Sequence, residues 1–185
     1  MMSPEHFSFL ILLTLVVLYE WGYIHHTDAI NCNISIPEFH ALQAVYTTCN
    51  GNEWNWPNSS GQWNFPSNVA APCSDGWQGL VCKPMGGGQC SILQMSLNRF
   101  NLSGTLPVNI GNLTAISLIS LDDNHIHSPI PATFAELSSL TTLSMQANNL
   151  TGSFPLSLIS IDALQVLALD QNQMTGEKRA RESRL

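Results

Sequence analysis

Leu118-Ile119-Ser120-Leu121-Asp122-Asp123-Asn124-His125-Ile126, closed by Ile130-Pro131, is one copy of a phrase written four times between Ile92 and Gly176. The proline step recurs at Leu106-Pro107, Ile130-Pro131 and Phe154-Pro155, so prolines 107, 131 and 155 stand 24 residues apart. Leu97, Leu121, Met145 and Leu169 keep the same step, as do Leu102, Ile126, Leu150 and Met174. A fixed period of this length marks a solenoid, in which each unit contacts only its neighbours.

Within the phrase, Ile119 and Leu121 point to one face, as strand alternation requires. Ile116, Leu140 and Leu164, with Leu113 and Leu137, add inward residues. Asn124, Asn148 and Asn172 recur where the chain leaves the strand. An inward Asn there can satisfy backbone groups that the turn leaves unpaired, so stacked amides are expected to form a ladder. The first unit departs, with Phe100 in that column and Asn101 displaced. The second unit has Ser128 where the others have Gly104, Gly152 and Gly176, which predicts a slightly different turn.

Alternation, with the residue at each strand exit added, also names the outward set: Gln94, Ser96, Asn98 and Arg99, then Leu118, Ser120, Asp122 and Asp123. Thr142, Ser144, Gln146 and Ala147 follow, and then Val166, Ala168, Asp170 and Gln171. The set is mildly acidic and has no aromatic ring. Binding hot spots favour Trp, Tyr and Arg, of which Arg99 alone is present. A partner on this face is expected to be basic or weakly held. A merely solvated face is the alternative.

Composition narrows the classes of function. The chain has 185 residues, net charge −7 and 10% charged residues. Between residues 30 and 176 only Lys83 and Arg99 are basic, against eight acids. Nothing in that body could neutralise a row of phosphates, which excludes a nucleic-acid-binding role.

Phe7 to Tyr19 is thirteen residues without charge, too short to cross a bilayer comfortably, and Glu20 follows. It fits the apolar core of a secretory signal, placing a leader over 1–29. An uncleaved anchor, holding the chain at a membrane, is the alternative. Five acceptor triplets for N-glycosylation, at Asn33, Asn58, Asn101, Asn112 and Asn149, agree with an extracellular or cell-surface location.

Cys32, Cys49, Cys73, Cys82 and Cys90 all lie ahead of the clear repeats. In an oxidising compartment they read as staples of a cap over 30–90. Zinc would need paired Cys-x-x-Cys spacing, which is absent. A tight bridge between Cys73 and Cys82 is expected, with Cys32–Cys49 as the second pairing, which leaves Cys90 over. The odd count means that one thiol is free or pairs elsewhere. Ser35-Ile36-Pro37-Glu38 has the capping-box form and predicts a helix over 36–49, with Phe39, Leu42, Val45, Tyr46 and Cys49 on one face. Gly51 is expected to end it. Trp54, Trp56, Trp63 and Trp77 read as filling for a loop-rich core, or else as a carbohydrate patch. Gly86-Gly87-Gly88 reads as a hairpin turn.

Leu118 to Ile126 resembles the leucine-rich repeat core, and Asn149-Leu150-Thr151-Gly152-Ser153-Phe154-Pro155 is similar to the extension of the plant-specific class. Pro72-Cys73-Ser74-Asp75-Gly76-Trp77-Gln78-Gly79-Leu80-Val81-Cys82 resembles the cap ahead of such repeats, with two extra residues between Cys and Trp and Leu80 in place of Val. The resemblance covers roughly 36–176. It implies an α/β solenoid, a right-handed coil with a parallel concave sheet of 24-residue repeats over 91–176, and a helical, disulfide-stapled N-terminal cap. Proteins of this class include receptor ectodomains and polygalacturonase inhibitors. The resemblance therefore implies a non-enzymatic binding module, with a protein or peptide on the concave face and a cell-wall glycan as another ligand. The ectodomain of a membrane receptor kinase is the second reading, and a glycan hydrolase working through the Trp-rich cap is the third.

No cofactor motif occurs. Asp122, Asp123, His125 and His127 are close in sequence, but alternation separates them. His25 and His26 fall in the leader. The fourth unit stops at Met174-Thr175-Gly176, and 177–185 is a charged, solvated tail where the pattern expects a further Ile-Pro. A truncated product would show such a break.

Overall fold

Each unit of the phrase lays down one strand beside the strand 24 residues before it: Gln94 pairs with Leu118, Leu118 with Thr142, and Thr142 with Val166. The computed structural model describes residues 32–65 and 71–175. The leader at 1–29, with His25 and His26, and the tail at 177–185 lie outside them.

The described elements are α1 (Ile36–Thr48), β1 (Leu80–Gly86), β2 (Gln89–Ser96), β3 (Ser103–Gly104), β4 (Leu118–Ser120), β5 (His125–Ile126), β6 (Thr142–Ser144) and β7 (Val166–Ala168). One sheet runs β1-β2-β4-β6-β7, antiparallel at β1–β2 and parallel beyond. A smaller parallel sheet joins β3 to β5. Opposite the large sheet, Val108–Asn112, Ala132–Glu136 and Leu156–Ser160 form 3₁₀ turns. Pro107, Pro131 and Pro155 stand immediately before them in extended backbone. A proline there loses nothing by lacking an N–H, and its fixed φ starts the turn. Among the described residues the α-helix is confined to the cap.

The inward columns meet as the period requires. Met95, Ile119 and Leu143 are fully buried, as are Leu97, Leu121 and Met145, and Leu102, Ile126 and Leu150. Each such side chain contributes about 1.5–3 kcal/mol by leaving water. Their last-unit equivalents, Leu167, Leu169 and Met174, are half-buried. The Asn ladder is present. Asn124 Nδ2 donates to the carbonyls of Leu97 and Leu121, and its Oδ1 accepts from Leu102 N–H. Asn148 and Asn172 repeat this pattern one unit on each time. Phe100, in the ladder's first position, packs edge-on against Trp56, with ring centres 5.6 Å apart. An apolar contact with the cap replaces the amide there. Ser128 does not share the left-handed backbone of Gly104 (φ 97°) and Gly152 (φ 78°), and its Oγ accepts from Leu106 N–H at 3.1 Å.

In the cap, Ser35 Oγ accepts from Glu38 N–H, and Glu38 Oε2 accepts from Ser35 N–H at 3.1 Å. Glu38 Oε1 accepts from Ile92 N–H at 3.0 Å, tying α1 to β2. The helix closes at its C-cap Cys49, and the next residue, Asn50, with φ of 56°, supplies the left-handed conformation expected of Gly51. Gly51 is needed for another reason: a Cβ there would strike the Tyr46 ring. Trp54, Trp63 and Trp77 are buried, with Trp63 stacked on Trp77 at 5.6 Å. Trp54 Nε1–H donates to the Cys49 carbonyl and Trp63 Nε1–H to the Gln78 carbonyl. The rings fill the cap core, and their polar edges are satisfied inside it.

The cysteine pairing differs from expectation. Cys73 is joined to Cys82, but Cys32 is joined to Cys90, not to Cys49. Asn33 forms a parallel bridge with Gln89, which sets Cys32 beside Cys90 at the start of β2. Cys49 ends α1 under the repeats, where its thiol is free, buried and donates to the Thr105 carbonyl at 3.4 Å.

Candidate binding face

Four columns cross the large sheet on its outward side. Gln94, Leu118, Thr142 and Val166 form the first, and Ser96, Ser120, Ser144 and Ala168 the second. Asn98, Asp122, Gln146 and Asp170 stand just past the strands. Arg99, Asp123, Ala147 and Gln171 follow, with φ of 63°, 55°, 51° and 57°. That left-handed step turns the chain out of the sheet at the same point of every unit. Three of the four residues are neither Gly nor Asn/Asp, so the surrounding structure must hold the conformation.

The middle of the face is wired together. Asp122 Oδ1 accepts from Ser144 Oγ at 2.6 Å and from Gln146 N–H at 2.8 Å. Asn98 Oδ1 accepts from Asp122 N–H at 2.7 Å and from Ser120 Oγ at 2.9 Å. Ser120 Oγ also lies 3.3 Å from Asp122 Oδ2, so its single proton is shared between two acceptors. The network crosses three units. It also buries Ser144, so that hydroxyl is engaged within the fold. Arg99 and Asp123 form a separate, exposed pair, with Nε 3.0 Å from Oδ2.

The hairpin extends the face beyond the residues that periodicity identifies. Val81 pairs with Gln94, and Lys83 with Ser91. Partners in an antiparallel pair share a side, so Val81 and Lys83 project with the outward set, and both are exposed. Gly86-Gly87-Gly88, with φ of 90°, 60° and 72°, makes the turn that brings them there. The Gly run signals the hairpin. The register, set with shifts at Val81/Cys82 and Pro84/Gly86, has no sequence signature. A positive end at Lys83 thus precedes carboxylates at Asp122, Asp123 and Asp170.

The remaining sequence candidates separate. His125 lies in β5 and His127 just beyond it, both exposed, away from the face that Asp122 serves. Among the acceptor asparagines, Asn33 and Asn58 are exposed, and Asn101, Asn112 and Asn149 half-buried. Asn101 Nδ2 donates to the Glu53 carbonyl at 2.9 Å. None of the five is in β2, β4, β6 or β7. The Cys32, Cys73 and Cys90 sulfurs are close together, but all three are held in disulfides. No helix of the described residues is long and apolar enough to cross a membrane.

A stack of short parallel strands at this step, with an amide ladder and a stapled cap, is a leucine-rich-repeat solenoid. The Leucine Rich Repeat family model matches residues 139–161. Among solved structures, the chain is similar to the ectodomain of the receptor kinase SOBIR1 from Arabidopsis thaliana, with TM-score 0.61 and 21% identity. That match covers 77% of this chain and 71% of the other. The PEPR1–AtPEP1 structure matches with TM-score 0.60 and 24% identity, over 75% of this chain and 18% of PEPR1. The ectodomain of GASSHO1/SCHENGEN3 from Arabidopsis thaliana, solved with CASPARIAN STRIP INTEGRITY FACTOR 2, matches with TM-score 0.50 and 26% identity, over 53% and 12% of the two chains. Comparison with curated protein sequences gives no match. The chain has the capped leucine-rich-repeat fold of plant receptor ectodomains and spans only a small part of the longer ones.

Proposed function

We propose that this chain is an extracellular, non-enzymatic binding module that takes a protein or peptide partner on the outward face of its large sheet. The observation that carries the reading is the network from Asn98 through Ser120 and Asp122 to Ser144 and Gln146. It fixes polar groups of three units before any partner arrives, which lowers the ordering cost of association. Lys83 at one edge and the carboxylates of Asp123 and Asp170 beyond it favour a partner with complementary charges, mainly basic. The structures solved as PEPR1–AtPEP1 and with CASPARIAN STRIP INTEGRITY FACTOR 2 lend support by likeness of fold. A glycan platform in the cap is disfavoured, because Trp54, Trp63 and Trp77 are buried. Turnover on a glycan panel is expected to be nil.

The test is retention of a partner from extracellular fluid by the secreted, glycosylated protein, beside its Asp123→Lys/Asp170→Lys form. Loss of retention in the variant, with the protein still folded, is expected. Equal retention would sink the assignment to this face, and failure of the wild-type chain to reach the medium would sink its extracellular role. Transcript sequence past codon 185 distinguishes a released module from the outer part of a membrane receptor kinase.

A further inference from the structure

Two cap disulfides share one cluster of sulfur. The Sγ atoms of Cys32, Cys73 and Cys90 all lie within 4.8 Å of one another, although Cys73 belongs to the other bridge. The bridges differ in access. Cys32 and Cys90 are buried, at 5% and 2% exposure, whereas Cys73 and Cys82 are half-buried. Ser74 fixes the arrangement: its Oγ accepts from Cys32 N–H at 3.2 Å and donates to the Cys32 carbonyl at 3.4 Å. The turn carrying Cys73 is therefore seated on Cys32 by contacts that do not depend on which sulfurs are bonded.

We propose that the two bridges form a thiol–disulfide relay, in which a small outside thiol opens Cys73–Cys82 and Cys73 then exchanges into the buried Cys32–Cys90 bridge. In the first step the thiolate of a molecule such as glutathione attacks Cys82 Sγ. A mixed disulfide forms at Cys82, and Cys73 leaves as a thiolate. In the second step Cys73 attacks Cys32 Sγ. The Cys32–Cys73 bond forms, the Cys32–Cys90 bond breaks, and Cys90 leaves as a thiolate and takes up a proton. One thiol is consumed and one appears, with no net oxidation or reduction. Attack on Cys73 instead would release Cys82, which is outside the cluster, and that branch only closes again. The product keeps Cys32 tied to the cap but detaches it from the start of β2. The buried bridge thereby answers to outside thiols that cannot reach it directly.

The test is Cys82→Ser, in which Cys73 is left as the attacking thiol. The folded, secreted variant is quenched in acid, alkylated and mapped by mass spectrometry. The expected result is loss of free Cys73 thiol matched one for one by gain of free thiol at Cys90, with a Cys32–Cys73 peptide. A Cys73–Cys90 peptide with free Cys32 supports the relay through the other sulfur. Quantitative alkylation of Cys73 with Cys32–Cys90 intact overturns it. If the variant is not secreted, a glutathione pulse on the wild-type protein gives the same reading. The relay then predicts glutathione on Cys82 and free Cys90. Glutathione on Cys82 with alkylated Cys73 and an intact inner bridge overturns it. The Cys49 thiol, bonded to the Thr105 carbonyl and outside the cluster, is the internal control and stays unchanged.

Discussion

Asn148 reaches back a full unit to Leu121: its Nδ2 donates to the Leu121 carbonyl at 2.9 Å, while its Oδ1 accepts from Ile126 N–H at 3.0 Å. Both contacts are buried. Asn148→Ala strands those backbone groups, at about 1–3 kcal/mol for each buried unsatisfied group. The expected loss is therefore larger than for Asn172→Ala, whose equivalent bonds are only part-buried. Urea unfolding of the two variants checks the order. Equal losses would mean that the ladder is not what the burial implies.

That ladder is legible in the sequence because the last three units carry the same side chain, Asn124, Asn148 and Asn172, at the same step. Period and side-chain type together define the inward columns, the amide positions and the proline turns. The cap was less readable. Cys32 finds Cys90 because Asn33 bridges Gln89 through backbone atoms, and backbone pairing leaves no mark on residue type. The same holds for Val81 and Lys83, whose place on the face depends on a register with two shifts. Spacing likewise gave no sign that the Asp122 carboxylate is engaged by its neighbouring unit.

The cap is joined to the repeats through a buried carboxylate. Glu38 is 5% exposed and serves both Ser35 N–H and Ile92 N–H. Glu38→Ala should cost about 2–4 kcal/mol, because the helix loses its capping partner and Ile92 N–H is left unmet in the core. Glu38→Gln keeps one acceptor oxygen and should cost less. Thermal unfolding orders the pair, and a neutral Glu38→Ala would refute the tie.

At Gly104 the first unit passes directly against the end of α1 in the cap. Its φ is 97°, and a Cβ there would collide with the Thr48 carbonyl oxygen. Gly87, with φ 60°, has nothing within 4 Å of such an atom. Gly87→Ala should therefore cost only the left-handed strain of about 1–2 kcal/mol. Gly104→Ala adds a backbone clash that only a shift of α1 could relieve, so its loss should be clearly larger. Chemical denaturation of both separates strain from collision.

Burial pushes the Cys49 thiol from its ordinary value of 9.0 up to about 11. The folded state thus holds a proton that the unfolded chain releases above pH 9.0. Between those two values the unfolded state binds fewer protons, so stability falls as pH rises. A shift of that size corresponds to about 2–3 kcal/mol across the window. Cys49→Ala removes this part of the slope, though it also leaves a small cavity. Unfolding free energies at pH 8 and pH 11 check the prediction. An unchanged slope in Cys49→Ala would assign the fall to other groups.

Adjacent carboxylates on the outward face have separable roles. Asp122 is bonded to Ser144 Oγ and Gln146 N–H of the next unit, so Asp122→Ala should cost about 1–3 kcal/mol and loosen the junction between β4 and β6. Asp123 is paired only with the exposed Arg99, whose side chain is 81% accessible. Such pairs contribute little to stability, so Asp123→Ala should unfold within experimental error of wild type. Any loss of partner retention in Asp123→Ala then reports binding, free of the folding defect that confounds Asp122. Unfolding and retention measured on both variants give the check. A stability loss in Asp123→Ala as large as that in Asp122→Ala would show that the exposed pair, and not the part-buried bonds of Asp122, braces the face.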